Sequence, residues 1–292
     1  MGDLLIIKTS EAELQITPDG GCICAYRLAD GFDILRPANN VETINPLEAS
    51  SFPLVPYSNR IKDGVFVFQG QRHAVPLNFG EHPHSIHGVG WQSNWQVVHQ
   101  TENKIILELC YSGDGWPFAF VAHQIFTLKG NSLRQELKIR NMSDGPMPVG
   151  LGSHPYFQKH GEVFLTADVE NVWMNNEECL PIERMRAPEA WDLKTGKNVD
   201  TLMCDHLFEP WRGSAMIHWR KEKRSLKLSA SNDLDRLVVY APKGEEFFCV
   251  EPVSHITDAF NLSGKGMPSG ESGMRILPKG ASWTVWIQFD PV

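Results

Sequence analysis

Two side chains in this sequence have the type and the setting for proton transfer near neutral pH. In MPVGLGSHPYFQ, His154 follows Gly150 and Gly152 and precedes Pro155, Tyr156 and Phe157. The glycines point to special backbone geometry, Pro155 holds the residue before it extended, and the two aromatic residues offer a wall. In FFCVEPVSH, Glu251 ends a strongly apolar run, with Glu246 the last charge before Phe247. A carboxylate that emerges at the end of a buried strand loses water, which raises its pKa and its basicity. From the residues alone, His154 is either an acid–base group or a hydrogen-bonded structural histidine, and Glu251 is either paired or functional. Asp205, in CDHLFEP, follows the same logic more weakly.

Two further stretches carry groups suited to an oxygen-rich ligand. In PYSNRIKDG, Asn59 and Arg60 enter a strand and are either a turn residue beside a surface charge or a pair of hydrogen-bond donors. NFGEHPHSIHGVGW holds His82, His84 and His87 within six residues. Imidazole is a common metal ligand and an HxH spacing places two on one strand face, but Pro83 argues for an irregular segment. The alternatives are ordinary core or surface histidines, and His87 as a contact to a sugar hydroxyl or an acid group. Gly88 would allow a ligand to come close.

The elements that must hold these groups read as strands almost throughout. AELQITP, KIILELCYS, FAFVAHQIFTL, SLRQELKIRN, RLVVYA, EFFCVEP and ASWTVWIQF are short, rich in β-branched and aromatic residues, and bounded by turn formers. GVFVFQGQRHAV reads as another strand run, with Asp63-Gly64 and Gln69-Gly70 bracketing Val65 to Phe68. In the last segment Trp283, Val285, Ile287 and Phe289 share one face by period two. Amphipathic helical patterns do not alternate with the strands, which argues against parallel α/β designs and for a large antiparallel sandwich. Residues 177–201, with two prolines and little periodicity, read as a long surface excursion of one domain, and residues 264–273 as a flexible rim.

Composition narrows the function classes. A chain of 292 residues with net charge −8 and no Lys/Arg block has little electrostatic reason to bind nucleic acid or an anionic membrane. The densest basic run, WRKEKRSLK from Trp219, reads as a solvated hairpin tip. No apolar run reaches the roughly 18 to 20 residues that span a bilayer, and the N-terminus lacks signal-peptide features, so cytoplasmic residence is expected. The six cysteines have no disulfide or zinc spacing and read as free, mostly buried thiols. A monomer or a weak homodimer is expected, since a chain this long can bury a core alone.

SNRI at 58, IHGVGW at 86, GLGSHPYF at 150, DHLF at 205 and VEP at 250 occur in the order found in the aldose 1-epimerase (mutarotase) family, which the chain resembles over nearly its whole length. GLGSHPYF is the most specific of the five, and Val89 stands where many relatives carry a second glycine. The resemblance implies an all-β fold, a large antiparallel β-sandwich (supersandwich) of the galactose mutarotase type forming a single domain over residues 1–292. It implies no cofactor, no metal and a small-molecule sugar as partner. The implied activity is interconversion of the α and β anomers of a free aldohexose such as glucose or galactose. By position, His154 is the implied general acid and Glu251 the implied general base, with Asn59, Arg60, His87 and Asp205 binding hydroxyls or the ring oxygen. In this scheme His154 starts charged and Glu251 ionised.

Three other readings compete. One is the same chemistry on a phosphorylated or otherwise anionic hexose, with Arg60, Lys62 and Arg72 as an anion site. Another is a glycoside hydrolase or lyase using Asp205 and Glu251 as its two carboxylates. The last is a noncatalytic carbohydrate-binding protein, with Trp91 and Trp116 as stacking surfaces.

Overall fold

The strand Ser282–Pro291 shows how the architecture arises. Trp283, Val285, Ile287 and Phe289 are buried while the residues between them are more exposed, because alternate side chains on a strand point to opposite faces. The strand pairs with Ser132–Asn141 and Arg224–Ala230 at the centre of a nine-stranded sheet. In the computed structural model, which describes residues 4–39 and 44–292, a second sheet of eight strands is centred on Phe247–Val253. The pairings within both sheets are antiparallel. The fold is predominantly β, built on these two large antiparallel sheets. No helix among the described residues is long and apolar enough to cross a membrane.

The two layers meet through aromatic and amide contacts. Phe157 lies 5.5 Å from Phe248 on its own sheet and 6.2 Å from Phe289 on the other. Ser153 donates to Gln135 Oε1 (3.2 Å), and Gln135 Nε2 donates in turn to Gln124 Oε1 (3.1 Å). Gln124 Nε2 ends the chain on the Gly21 carbonyl (2.9 Å). Each buried amide has a partner, so its loss of water is offset.

Register on the eight-stranded sheet decides which residues share a row. Gly152 opposes Val253 and Tyr156 opposes Cys249, so the register carried between them sets His154 opposite Glu251. Across Arg236–Tyr240 and Asp205–Glu209 the rows continue: Glu251 opposes Val238, which opposes Leu207, while Cys249 opposes Tyr240, which opposes Asp205. Period two turns His154, Tyr156, Cys249 and Glu251 away from the face on which Ser153, Phe157 and Phe248 meet the nine-stranded sheet.

GVFVFQGQRHAV is a hairpin of Val65–Phe68 and Gln71–Ala74, turning at Gln69 and Gly70, both with positive φ, as the turn residues there imply. Other local expectations change in the structure. Residues 177–201 supply an edge strand, Pro181–Arg186, and the short helix Val199–Leu202, whose Val199 and Leu202 join the core. The rim at 264–273 is tied down, because Arg236 Nη2 donates to the carbonyls of Gly270 (3.2 Å) and Glu271 (2.8 Å). The basic run from Trp219 forms the tip between Ser214–Trp219 and Arg224–Ala230, as its charge pattern implies. Four of the six cysteines are buried and all six are free thiols.

Gly150 shows how the site is braced from below. Buried His255 accepts a hydrogen bond at Nε2 from the Ser58 backbone N–H (3.0 Å) and donates from Nδ1 to the Ile256 carbonyl (2.7 Å). That imidazole lies so close to Gly150 that a Cβ there would fall 1.8 Å from His255 Cδ2. Gly150→Ala should displace His255 and loosen the 58–60 segment, destabilising the fold by about 1–3 kcal/mol. Urea unfolding checks this, and an unchanged midpoint would show that the ring moves aside freely.

Candidate active site

The pocket-facing rows form a cavity of about 340 Å³, with His154, Glu251, Tyr156, Val238, Tyr240 and Phe247 on its floor and Asp205 at its mouth. Asn59, Arg60, Ile86 and His87 close one side, and Leu47 and Phe79 stand at the rim. All six residues proposed from the sequence, His154, Glu251, Asn59, Arg60, His87 and Asp205, therefore line one cavity. They come from five separate segments of the chain.

Nε2 of His154 lies 3.3 Å from Oε1 of Glu251, and both side chains are buried. The imidazole rests 4.6 Å from the rings of Phe52 and Tyr156, with His87 edge-on at 5.3 Å. Its Nδ1 is buried without a hydrogen-bond partner among the described residues. Burial pushes the Glu251 carboxyl well above the usual carboxylate range and holds His154 down at about 3, with the Arg36 guanidinium adding a smaller push on the imidazole. Burial thus works against the expected resting ion pair: in so dry a place charge separation is disfavoured, and the shifts favour the neutral imidazole and the protonated carboxyl.

His87 owes its role to backbone geometry. It has φ +60°, Gly88 has φ +74°, and Asn59 opposite has φ +54°. Asn59 N–H donates to His87 Nδ1 (3.1 Å), and His87 N–H donates to the Asn59 carbonyl (2.9 Å). Nδ1 thus accepts, so the neutral imidazole carries its proton on Nε2 and offers a donor. Burial keeps it neutral, well below its ordinary pKa. The turn is anchored where the Val55 carbonyl accepts from Val89 (3.1 Å) and Gly90 (2.9 Å). A Cβ on Gly88 would sit 2.3 Å from that carbonyl. Val89 itself has φ −107°, so nothing here demands a second glycine after Gly88.

Arg60 donates from Nη1 to Asn59 Oδ1 (3.0 Å), and its Nη2 lies 4.0 Å from Asp205. Asp205 differs from expectation, since its side chain is 38% exposed and stands at the mouth. The three clustered histidines do not converge on a point. Arg60 Nε donates to His82 (3.5 Å), His84 Nδ1 accepts from the Asp63 N–H (3.1 Å), and His87 accepts from Asn59.

Some contributors escaped the sequence reading. Tyr240 and Phe247 line the cavity, whereas Trp91 and Trp116 are buried away from it and Phe157 faces the core. Arg36 lies over the rings of Tyr156 (4.1 Å) and Phe247 (4.5 Å) and is held by the carbonyls of Leu47 and Ala49. Cys249 is fully buried, its thiol within 4.8 Å of a nitrogen of His154 and a carboxylate oxygen of Glu251. Its position two residues before Glu251 on one strand was the signal for it.

Fold and site define a carbohydrate-isomerase class of β-sandwich. The aldose 1-epimerase family model matches residues 3–290, and the chain belongs to that family. It is 27% identical to the uncharacterized Escherichia coli K12 protein YphB over 254 residues, 84% of this chain and 86% of that one. A solved Escherichia coli K12 structure superposes with TM-score 0.91 at 24% identity, covering 100% of this chain and 99% of that one. A galactose mutarotase-like protein from Clostridium acetobutylicum gives 0.86 at 20% identity, covering 100% and 95%.

Neutral buried histidines have a consequence for stability. Loss of water lowers the pKa of His87, of His154 to about 3, and of His255 to about 4. Below about pH 6.5 the unfolded chain binds protons at these positions that the fold refuses, so stability falls as pH falls. Glu251, Asp235 and Asp258, with their pKa raised by burial, act in the opposite sense, but His73, His82 and His206 are lowered as well and add to the three buried histidines. The urea midpoint should therefore be lower at about pH 5.5 than at about pH 7.5. A midpoint that rises on acidification would contradict the neutral histidines.

Proposed function

We propose that the chain interconverts the α and β anomers of a free aldohexose such as glucose or galactose, with Glu251 and His154 as the acid–base pair. The observation that carries this reading is the 3.3 Å separation of His154 Nε2 and Glu251 Oε1 on the floor of a sugar-sized cavity. Membership of the aldose 1-epimerase family supports it.

Ring opening takes the proton from the anomeric hydroxyl and gives one to the ring oxygen. The pair holds one proton before and after. When sugar hydroxyls donate to Glu251 they offset its lost water, and the shared proton sits on His154. His154 passes that proton to the ring oxygen while Glu251 collects the anomeric one, leaving the open-chain aldehyde. Rotation about C1–C2 presents the other carbonyl face, and the same steps in reverse close the ring. Burial favours the proton on Glu251, which is the arrangement reached on opening, so the dry floor stabilises the opened state relative to the ring. Asn59, Arg60 and the Nε2–H of His87 hold hydroxyl or ring oxygens, and Asp205 accepts from a hydroxyl at the mouth.

A neutral sugar suits this cavity better than an anionic one. Among the described residues Arg60 is the one Lys or Arg on its lining, Asp205 lies 4.0 Å from it, and Lys62 and Arg72 are outside. The exposure of Asp205 supports a binding role over that of a second buried carboxylate for glycoside hydrolysis.

Polarimetry of freshly dissolved α-D-glucose and α-D-galactose tests the reading. H154N and E251Q should each lower kcat by about 10²-fold or more with little change in KM. D205N should raise KM. A wild-type rate in H154N would sink the acid–base assignment.

A further inference from the structure

Cys249 has no part in the mechanism above, yet its thiol faces the pair that does. One ring nitrogen of His154, Cys249 Sγ and a carboxylate oxygen of Glu251 all lie within 4.8 Å of one another, and all three residues are buried. Among the described residues this is the one group of three such side chains that converges. It follows from the fold: Cys249 and Glu251 share a face of one strand, and His154 lies between the two short strands, Gly152–Ser153 and Tyr156–Gln158, that pair with it.

We propose that the cavity floor is also a binding site for a borderline-soft divalent cation of the zinc type, which takes His154, Cys249 and Glu251 as ligands and excludes the sugar. The site rests on the proposed function in one respect, that the ion inhibits by occupying the pair the reaction needs. Nitrogen, sulfur and oxygen donors are the set such an ion prefers, with bonds of about 2.0–2.3 Å and tetrahedral neighbours therefore about 3.3–3.8 Å apart. His154 and Glu251 already stand at 3.3 Å. Closing the widest separation takes side-chain movement of about 1 Å, and the fourth position opens into the cavity, as in zinc sites with three protein ligands. Binding releases the thiol proton and the proton shared by the pair to solvent. Thiolate and carboxylate then cancel the charge of the dication, so the nearby Arg36 guanidinium meets a neutral group. The ion is an inhibitor in this scheme, and ring opening needs none.

The test follows mutarotation by the full-length chain at increasing Zn²⁺ and several concentrations of whichever aldose it accelerates, wild type beside C249S, with Co²⁺ absorption spectra of both proteins. Zn²⁺ should compete with the sugar and be reversed by a chelator. C249S should keep its mutarotation and need at least about tenfold more Zn²⁺ for the same inhibition. Co²⁺ should give wild type a near-ultraviolet thiolate charge-transfer band that C249S lacks. C249A repeats the comparison should serine in this apolar position impair folding. Equal inhibition of wild type and C249S, or a Co²⁺ spectrum of wild type without the thiolate band, overturns the proposal. Metal-free protein that accelerates no aldose would instead refute the mutarotase reading, and the Co²⁺ band would still decide the metal site.

Discussion

Removal of water from His154 and Glu251 is the constraint on which the rest of the site depends. Each group alone would be costly to bury in charged form, and side by side at 3.3 Å they can share a single proton. The fold meets this by setting Glu251 in a central strand and His154 between two short segments that pair with that strand, its N–H held by the Phe52 carbonyl. Phe52 and Tyr156 exclude water from the imidazole, and Arg36, itself buried against Tyr156 and Phe247, adds positive potential below. The protonation state of the pair is thus a property of the surrounding layers as much as of the two residues.

The sides of the cavity solve a different problem. A sheet can present only one face at a time, and groups that must reach a ligand from the side have to come from loops. Asn59 and His87 do so with positive φ, an unfavourable backbone state that persists where the surroundings over-determine it. Their reciprocal hydrogen bonds, the Val55 carbonyl beneath Gly88 and Gly90, and the His255 ring under Ser58 supply that determination. The same bonds settle a chemical question, because a backbone donor at Nδ1 leaves His87 with its proton on Nε2.

Much of the scaffold was legible because strand residues announce themselves by type and by period two. Trp283 to Phe289 fell on one buried face as read, and the antiparallel sandwich follows from many such runs without helical patterns between them. Period two would also have separated Tyr156 from Phe157, which were read as one wall and face opposite sides. Where the reading failed, the cause was long-range. Trp91 and Trp116 are large and plausible for stacking, but burial removes them from the cavity, and Tyr240 and Phe247 take that place through register with strands far along the chain. Residues 264–273 look flexible by composition, yet Arg236 ties them down from another strand.

The sequence by itself determined the strands, the family pattern and the six residues that line the cavity, since these rest on local residue type and on motifs written contiguously in the chain. It could not determine their charge. An exposed histidine and carboxylate pair would form ions, whereas the dry floor built from distant strands shifts His154 and Glu251 toward their neutral forms. Nor could it determine that Cys249 stands beside them, that Asp205 stays at the open mouth, or which nitrogen of His87 carries the proton. Each of these depends on which strand or loop lies across from the residue, and pairing across a sheet is set by tertiary packing and not by neighbours in sequence.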